Sequence, residues 1–505
     1  MVRRIRRPLV ALLLSVSAGG FPPAAAQDAL RGLDGYVEKA MRDWNVPGLS
    51  VAVVHKDSLI YAKGFGVLEM GKTDRVDEHT LFAIGSQSKA FTAAAIGILV
   101  DEGKVRWDDP VERRLPGFEL ANPYLTREVT LRDLISHRTG LPGNNLIFWG
   151  TDLTRAQIVD RLRFLQPTAS LRSRYQYQNL MFIAAGEVIR AVTGQTWDDL
   201  VRSRIFGPLG MTRSETSVGA ILRAKPPNVA TPHNDYSGRT APAPWLDLDN
   251  AGPAGSIVSS AVDMAQWYRL QLGHGSYRGR TVLSGSVADE MHSPQTIVQK
   301  DPFISLLFPR AEFVLYGLGW FMHSYHGHEI IEHGGQTDGM RSAGAMLPDQ
   351  KLGVIVLTNE VDNLLAPALV YRIFDAFLAL PAQDWSQTFQ RAARESGGGS
   401  GAAPARVTAT KPTLELGRYA GTYRHDFYGD AVVRVENGGL ELRLLGFTTP
   451  LEHWHYDTFR AARAGPVSTM MGRLVSFGLD ARADVDRLTI RGGADFRRIR
   501  EAASR

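Results

Sequence analysis

A serine and a lysine one helical turn apart are the first residues whose types and spacing suggest chemistry. Ser86 and Lys89 lie at the start of an alanine-rich segment predicted to be helical from Ala90 to Val100. Three residues along a helix, the two side chains share a face. A partly desolvated lysine can take the proton of a serine hydroxyl and make it nucleophilic. The alternative is an ordinary helix start, with Ser86 as the cap and Lys89 in solvent.

A tyrosine and an asparagine form the second candidate pair. Tyr177 and Asn179 are two residues apart, so their side chains point the same way on an extended loop. The phenol can relay a proton, and the amide can hold a lysine or a substrate carbonyl. Asn179 also directly precedes a predicted helix from Leu180 to Val192, so it can instead cap that helix.

The stretch from His333 to Gln336 is the third candidate and ends a predicted strand. Its two glycines, Gly334 and Gly335, would let a ligand approach the backbone closely. A backbone N–H here, together with that of Ser86, could form an oxyanion hole. The alternative is a turn that contains a histidine by chance.

Histidines and glutamates are crowded between residues 323 and 333, which raises the question of a metal site. The spacing fits neither of the zinc motifs that combine a histidine pair with a glutamate. On a strand, His328 and His333 would point to opposite faces. A phosphate-binding loop has no match either. The sequence therefore predicts neither a metal nor another cofactor.

Composition excludes several classes of protein. The 505 residues are 44% hydrophobic and 22% charged, as in an ordinary globular protein. Basic residues number 57 against 52 acidic ones, but four of the arginines lie within the first seven positions. The basic excess is therefore mostly N-terminal, and we predict no nucleic-acid partner. The absence of cysteine excludes disulfides and a thiol nucleophile.

Residues 1–26 have the three parts of a secretory signal peptide. Arginines precede an apolar stretch from Leu9 to about Ala18, and three alanines end at Ala26. We predict cleavage after Ala26 and a secreted or periplasmic protein. The apolar stretch is too short to cross about 30 Å of hydrocarbon, so no stable membrane span is expected after cleavage. An uncleaved anchor is the alternative.

The remaining chain divides at a Gly/Ser-rich linker, placed at 386–412. In the segment 27–385, strand-like runs lie at both ends and helices lie between them. This order predicts an α/β (α+β) fold, with one antiparallel sheet flanked by helices and a large helical insertion. In the segment 413–505, alternating runs around Asn437-Gly438 predict hairpins and a small antiparallel β-barrel.

The three candidate stretches, in this order, resemble the serine β-lactamase and penicillin-binding-protein superfamily. The class C-like serine hydrolases (peptidase family S12) are the most similar branch. Supporting strings are Leu134 to Pro142 and Tyr316 to Trp320, and the resemblance covers about residues 30–385. The tail, with the string His425 to Gly429, resembles a lipocalin-like barrel that follows some of these hydrolases.

The resemblance implies catalysis through an acyl-enzyme without a cofactor. Ser86 would be the acylated nucleophile, and Lys89 and Tyr177 would share the general-base and general-acid roles. Asn179 would position Lys89 or the substrate amide. Which of Lys89 and Tyr177 takes the first proton stays open.

On the strand side, the resemblance implies an oxyanion hole and a substrate-facing side chain. The backbone N–H groups of Ser86 and Gln336, beside Gly335, would bind the oxyanion. His333 occupies the place where β-lactamases and penicillin-binding proteins usually carry a lysine. A histidine is mostly uncharged near pH 7, so recognition of a substrate carboxylate is less assured.

We therefore expect an exported serine hydrolase that acts on small amides or short peptides, D-amino-acid-containing ones included, or on esters. A β-lactamase or D,D-carboxypeptidase is one alternative. A catalytically inactive penicillin-binding or sensor protein is another. The expected partner is a small-molecule or short-peptide substrate, and assembly into a homo-oligomer is left open.

Overall fold

The structure is a computed structural model. It describes residues 24–143, 145–149, 151–235, 239–395, 405–462, 473–491 and 494–499. Most of the predicted signal peptide (1–23) and part of the predicted linker (396–404) lie outside the described residues.

The described helices alternate with short 3₁₀ turns and one π turn. The helices are Ala24–Ala29, Leu33–Trp44, Ser88–Asp101, Val111–Arg114, Pro123–Glu128, Leu131–Leu134, Arg155–Asp160, Leu180–Thr193, Trp197–Val201, Gly207–Leu209, Val218–Ala224, Gly252–Gly255, Ala261–Leu272, Gly285–Met291, Pro302–Leu307, Leu365–Phe377 and Trp385–Glu395. The 3₁₀ turns are Gly85–Gln87, Asn145–Ile147, Arg161–Phe164, Asp249–Ala251, Pro348–Gln350 and Leu416–Arg418, and the π turn is Arg202–Phe206. None of the described helices combines the length and the hydropathy that a membrane span requires.

The central sheet joins the two ends of the first segment. Its strands are β1 (Gly48–His55), β2 (Ser58–Gly66), β3 (Thr296–Ile297), β4 (Val314–Tyr316), β5 (Phe321–Tyr325), β6 (His328–Thr337), β7 (Met340–Leu347) and β8 (Leu352–Thr358). They are antiparallel in the order β2-β1-β8-β7-β6-β5-β4-β3. Because β1 pairs with β8, the predicted closure of the sheet by both ends of the segment is confirmed. Short strand pairs outside the sheet join Phe82–Ala83 to Val258–Ser259, His233–Asp235 to Thr240–Pro242, and Ser276–Tyr277 to Arg280–Thr281.

The helical insertion lies between β2 and β3 and is built around two helices. All residues from Ser88 to Leu99 in the first of these helices are buried. The alanines in this helix allow neighbours to pack on every side of it, so it lies inside the core and not on a surface. The second helix, Leu180–Thr193, ends at Gly194 in the left-handed conformation (φ 73°), as its sequence predicts.

The C-terminal segment forms a closed antiparallel barrel, which confirms the predicted fold class. Its strands are β9 (Gly421–His425), β10 (Gly429–Glu436), β11 (Gly439–Leu444), β12 (Phe447–His455), β13 (Thr458–Ala461), β14 (Leu474–Leu479), β15 (Val485–Ile490) and β16 (Ala494–Arg498). At the β10–β11 turn, Asn437 and Gly438 both have positive φ (51° and 78°), as a two-residue hairpin requires. The Arg161 guanidinium contacts this barrel by donating to the Phe427 carbonyl at 3.1 Å.

The helix Trp385–Glu395 differs from the sequence interpretation, which placed residues 386–412 in the linker. Its buried side chains Trp385 and Phe389 pack against the helix Leu365–Phe377. Trp385 Nε1 also donates to Oδ2 of the buried Asp375 at 2.6 Å. The polar composition of the helix hides this anchoring, because only a few of its residues are apolar. These contacts attach the helix to the first domain.

We predict that truncation will distinguish this helix from the linker. A chain ending at Glu395 should unfold cooperatively and keep the Tm of the first domain in the full chain. A chain ending at Asp384 should lose at least about 3 kcal/mol of unfolding free energy, the cost of removing one buried aromatic side chain. Thermal unfolding followed by circular dichroism measures both. Equal stabilities for the two truncated chains would contradict the assignment.

Candidate active site

Ser86 lies in a tight turn that packs directly against β6. The 3₁₀ turn Gly85–Gln87 follows the short strand Phe82–Ala83 and leads into the helix Ser88–Asp101. Gly85 has a φ of +55°, and a Cβ on it would lie 2.6 Å from the Gln336 backbone nitrogen. Only glycine fits there. The helix itself begins after Ser86, so this serine is not its capping residue.

Lys89 is completely buried and faces Ser86. Its Nζ lies 2.9 Å from Ser86 Oγ and donates to the Ala254 carbonyl oxygen at 2.8 Å. Burial lowers the pKa of Lys89 well below the ordinary value, because little water remains to solvate the charge. An uncharged amine can donate to Ala254 and accept the Ser86 hydroxyl proton at once. The alternative in which Lys89 lies in solvent does not fit the structure.

Tyr177 is the second side chain that contacts Ser86. Its hydroxyl donates to Ser86 Oγ at 2.7 Å, and Lys89 Nζ lies 4.9 Å from the centre of its ring. The residue is 37% exposed, so part of its surface is open to solvent. Desolvation of the phenol raises its pKa above the ordinary value, although the hydrogen bond to Ser86 opposes this shift. Tyr177 therefore keeps its proton at neutral pH.

Asn179 lies at the N-terminus of the helix Leu180–Thr193, two residues after Tyr177. Its carbonyl oxygen accepts the N–H of Ile183, which starts the helix. Its side chain makes no capping hydrogen bond. The capping role considered from the sequence is therefore not the one that the structure shows.

The strand β6 presents its backbone to the turn of Ser86. A Cβ on Gly335 would lie 1.8 Å from the Ile84 carbonyl oxygen, and Ser342 Oγ on β7 donates to that same oxygen at 2.8 Å. The pairing of β5 with β6 ends at Phe321 and Glu332, so residues 333–337 run past the end of β5. Gly335 is therefore explained by close contact between the strand and the turn. Gln336 follows it and is exposed.

His333, which the sequence analysis expects to face the substrate, lies in a buried position. It is only 2% exposed, and its ring centre lies 6.4 Å from that of Tyr177. Nδ1 donates to the Gly334 carbonyl at 2.6 Å, so Nε2 accepts from the Tyr316 hydroxyl at 3.1 Å. Burial, together with any charge on Lys89, lowers the pKa of His333 to about 3. The imidazole is thus neutral, and both of its nitrogens are bonded to protein groups.

Sequence reasoning did not assign a role to two residues behind Tyr177. The ring of His137 lies 4.3 Å from that of Tyr177 and 4.7 Å from that of Tyr316. These two residues, His137 and Tyr316, occur in the strings Leu134 to Pro142 and Tyr316 to Trp320 that support the resemblance. Their presence in those strings was the one sequence feature that could have drawn attention to them. Nothing in those strings indicates that His137 contacts Tyr177 or that Tyr316 contacts His137, because these residues are distant along the chain.

The histidines of the segment 323–333 have separate partners. Nε2 of His323 lies 3.7 Å from Glu332, and Nδ1 of His328 lies 2.5 Å from Asp349. Within the described ranges, no group of three or more histidines and carboxylates is arranged to hold a metal ion.

Comparisons with known proteins place the chain among hydrolases of one family. The beta-lactamase family matches residues 33–376, and a domain of unknown function (DUF3471) matches residues 405–502. The unguisins hydrolase ungD of Aspergillus violaceofuscus is 31% identical over 438 residues, which cover 79% of this chain and 76% of that protein. Penicillin-binding protein 4 of Amycolatopsis lactamdurans is 30% identical over 322 residues, covering 62% of this chain and 81% of that protein.

Solved structures share the fold at lower identity. An octameric penicillin-binding protein homologue from Pyrococcus abyssi superposes with a TM-score of 0.61 at 23% identity, over 92% of this chain and 99% of that one. SurE with D-Leu superposes with a TM-score of 0.52 at 19% identity, over 94% of this chain and 100% of that one. The family match spans most of the chain and contains Ser86, Lys89, Tyr177 and His333. The chain therefore belongs to the beta-lactamase family and is a hydrolase of that fold.

Proposed function

We propose that this chain is an exported serine hydrolase that forms an acyl-enzyme on Ser86. Its substrates are small amides and short peptides, D-amino-acid-containing ones included, and esters. One observation carries the proposal: Ser86 Oγ lies 2.9 Å from Lys89 Nζ and 2.7 Å from the Tyr177 hydroxyl. A nucleophile between a base and a proton donor is the arrangement that acyl transfer needs.

The opposite pKa shifts of Lys89 and Tyr177 support a division of roles. The neutral Lys89 amine takes the Ser86 proton while Oγ attacks the substrate carbonyl carbon. Tyr177 keeps its proton and donates it to the leaving nitrogen or oxygen. Lys89 then transfers its extra proton to the Tyr177 phenolate, so that the lysine is again a neutral amine and the tyrosine again a phenol. A water molecule then attacks the acyl carbon, and the proton transfers run in the reverse direction. Ser86 Oγ regains its proton as the ester bond breaks, and the carboxylic acid is released.

The developing oxyanion needs donors on the β6 side. The backbone N–H groups of Ser86 and Gln336 are the proposed donors, since the turn of Ser86 packs against Gln336. Asn179 is proposed to position the substrate amide or Lys89. His333 is proposed not to contact the substrate. It acts through its hydrogen bonds with the Tyr316 hydroxyl and the Gly334 carbonyl.

The relatives support the substrate classes. One relative is named for the hydrolysis of unguisins, and one solved structure of this fold contains D-Leu. These names favour peptides and D-amino acids for this chain too. The similarity to a penicillin-binding protein favours a second candidate, a D,D-carboxypeptidase or β-lactamase activity. The intact contacts around Ser86 argue against an inactive sensor.

Active-site labelling tests the nucleophile. Incubation with a fluorophosphonate probe should add one adduct per chain, seen by intact mass spectrometry and lost in Ser86→Ala. Lys89→Ala should slow labelling about 10²–10⁴-fold, because general-base assistance is removed. The matched controls are the exposed residues Ser58 and Lys72, whose alanine variants should be labelled at the wild-type rate. An adduct on Ser86→Ala would refute the assignment.

The pH dependence of kcat/KM tests the role of Lys89. Below its folded pKa the amine is charged and cannot accept a proton, so activity should fall on the acid side. Because burial lowers the pKa of Lys89 from its ordinary value of 10.5, the plateau should begin well below that pH. Hydrolysis of a p-nitrophenyl ester across pH 5 to 10 measures this limb. A midpoint near the ordinary lysine value would contradict the buried base.

A matched substrate pair tests the neutral pocket. An acyl-D-Ala-D-Ala peptide and its C-terminal amide differ only in the carboxylate. Since His333 is neutral and buried, the amide should be cleaved with a kcat/KM at least equal to that of the free acid. Nitrocefin should be a poorer substrate than a small ester. A preference of more than about tenfold for the free acid, or about 1.4 kcal/mol, would favour the carboxypeptidase candidate.

A further inference from the structure

We propose that His137 is the positioning residue that holds the Tyr177 hydroxyl against Ser86. The inference rests on the proposed function, because it concerns how Tyr177 is kept ready for proton transfer. Tyr177 lies on an irregular segment before the helix Leu180–Thr193, and it is 37% exposed. A loop side chain that must stay 2.7 Å from Ser86 Oγ needs support from elsewhere.

His137 bonds to the chain on both sides of Tyr177. Its carbonyl oxygen accepts the N–H of Gln176 at 2.8 Å. Its ring Nδ1 accepts the N–H of Gln178 at 3.2 Å. One residue therefore holds the backbone N–H groups of Gln176 and Gln178, which lie on either side of Tyr177. These two hydrogen bonds restrict the backbone torsions of Tyr177.

The His137 ring also supports the phenol ring directly. The ring centres of His137 and Tyr177 are 4.3 Å apart, and the planes are tilted by 36°. Tyr316 and Phe182 confine the imidazole from other sides, at 4.7 Å and 5.2 Å. Because the imidazole cannot move away, the Tyr177 ring has a rigid surface behind it.

His137 adopts a left-handed backbone conformation, which most residues with a Cβ avoid. Its φ is +57°, in the left-handed region that residues with a Cβ seldom occupy. Such strain persists only where surrounding contacts enforce it, and it is concentrated at functional sites. This conformation lets the carbonyl of His137 accept from the Gln176 N–H while its ring accepts from the Gln178 N–H.

A buried carboxylate ties together the two loops that carry His137 and Tyr177. Asp133 is completely buried and accepts from Arg138 Nε at 2.6 Å and from Arg172 Nη2 at 2.7 Å. The N–H of Arg172 also donates to the Arg138 carbonyl at 2.7 Å. Burial alone would raise the pKa of Asp133, but the two arginines outweigh it and hold that pKa below its ordinary value.

The imidazole supplies both a hydrogen-bond acceptor and a flat ring, whereas asparagine and phenylalanine each supply only one of the two. Because Nδ1 accepts a hydrogen bond, the ring proton lies on Nε2, which has no hydrogen-bond partner among the described residues. Burial lowers the pKa of His137 well below its ordinary value, so the ring adds no charge beside Lys89. Asparagine would keep an acceptor and tolerate the positive φ, but it lacks the ring. Phenylalanine would keep the ring and lack the acceptor.

A double-mutant cycle in the full chain tests the proposal. His137→Asn and His137→Phe are each made alone and together with Tyr177→Phe, and kcat and KM are measured with a p-nitrophenyl ester. Each single variant should lower kcat about tenfold or more and change KM less than about threefold, because a group that acts in the transition state is displaced. In the Tyr177→Phe background the same replacements should change kcat less than about twofold.

The control variant is Thr139→Val, which removes the contact of Thr139 Oγ1 with Gln178 Nε2 at 2.8 Å. It disturbs the same pair of loops without touching either flanking amide, so kcat should stay within about twofold of wild type. Equal losses of kcat in both backgrounds, or a loss confined to KM, would overturn the role of His137. If His137→Phe does not fold, His137→Asn alone decides the cycle. Wild-type labelling at Ser86 tests the proposed function separately, and its absence would overturn both.

Discussion

The burial of Lys89 is the constraint on which the rest of the site depends. A lysine without exposed surface cannot keep its proton at the ordinary pKa, because the surrounding protein does not solvate the charge as water does. The fold supplies the Ala254 carbonyl and Ser86 Oγ as partners, and it closes the remaining sides with the rings of Tyr177 and Phe182. The helix that carries Lys89 must therefore lie inside the core, which its alanine-rich sequence permits.

Close contact between the Ser86 turn and the sheet is the second requirement. Gly85 and Gly335 lie where any Cβ would collide with the opposite backbone. This contact brings a backbone from the central sheet next to a hydroxyl from the helical insertion. The nucleophile thus lies where the helical insertion meets the sheet.

Neutral aromatic and imidazole rings surround the polar centre. His137 and His333 are both buried and both have lowered pKa values, so neither adds a positive charge beside Lys89. A charged group at either position would oppose protonation of Lys89 during the reaction. The rings also exclude water from the back of Tyr177. The neutral rings therefore leave Lys89 without a neighbouring positive charge from either histidine.

Local sequence patterns determined most of the secondary structure. The helices that begin near Ser88 and at Leu180, and the barrel hairpin at Asn437-Gly438, follow from helix-ending glycines, alternation and turn residues. These are interactions between neighbours in the chain, so the sequence predicts them directly. The order of the three candidate stretches likewise indicated the family before any contact was known.

Tertiary structure decided what depends on residues far apart in the chain. Three features join distant segments: the burial of His333 against Tyr316, the anchoring of the helix Trp385–Glu395 through Asp375, and the contact of His137 with Tyr177. The Trp385 helix is polar in composition, so composition placed it in the linker, although Trp385 and Phe389 are buried together on one face. His137 precedes Tyr177 by a long insertion, and only packing brings their rings together. The sequence by itself determined which groups could react, and the packed core determined which of them face one another, because burial and contact are properties of the folded chain.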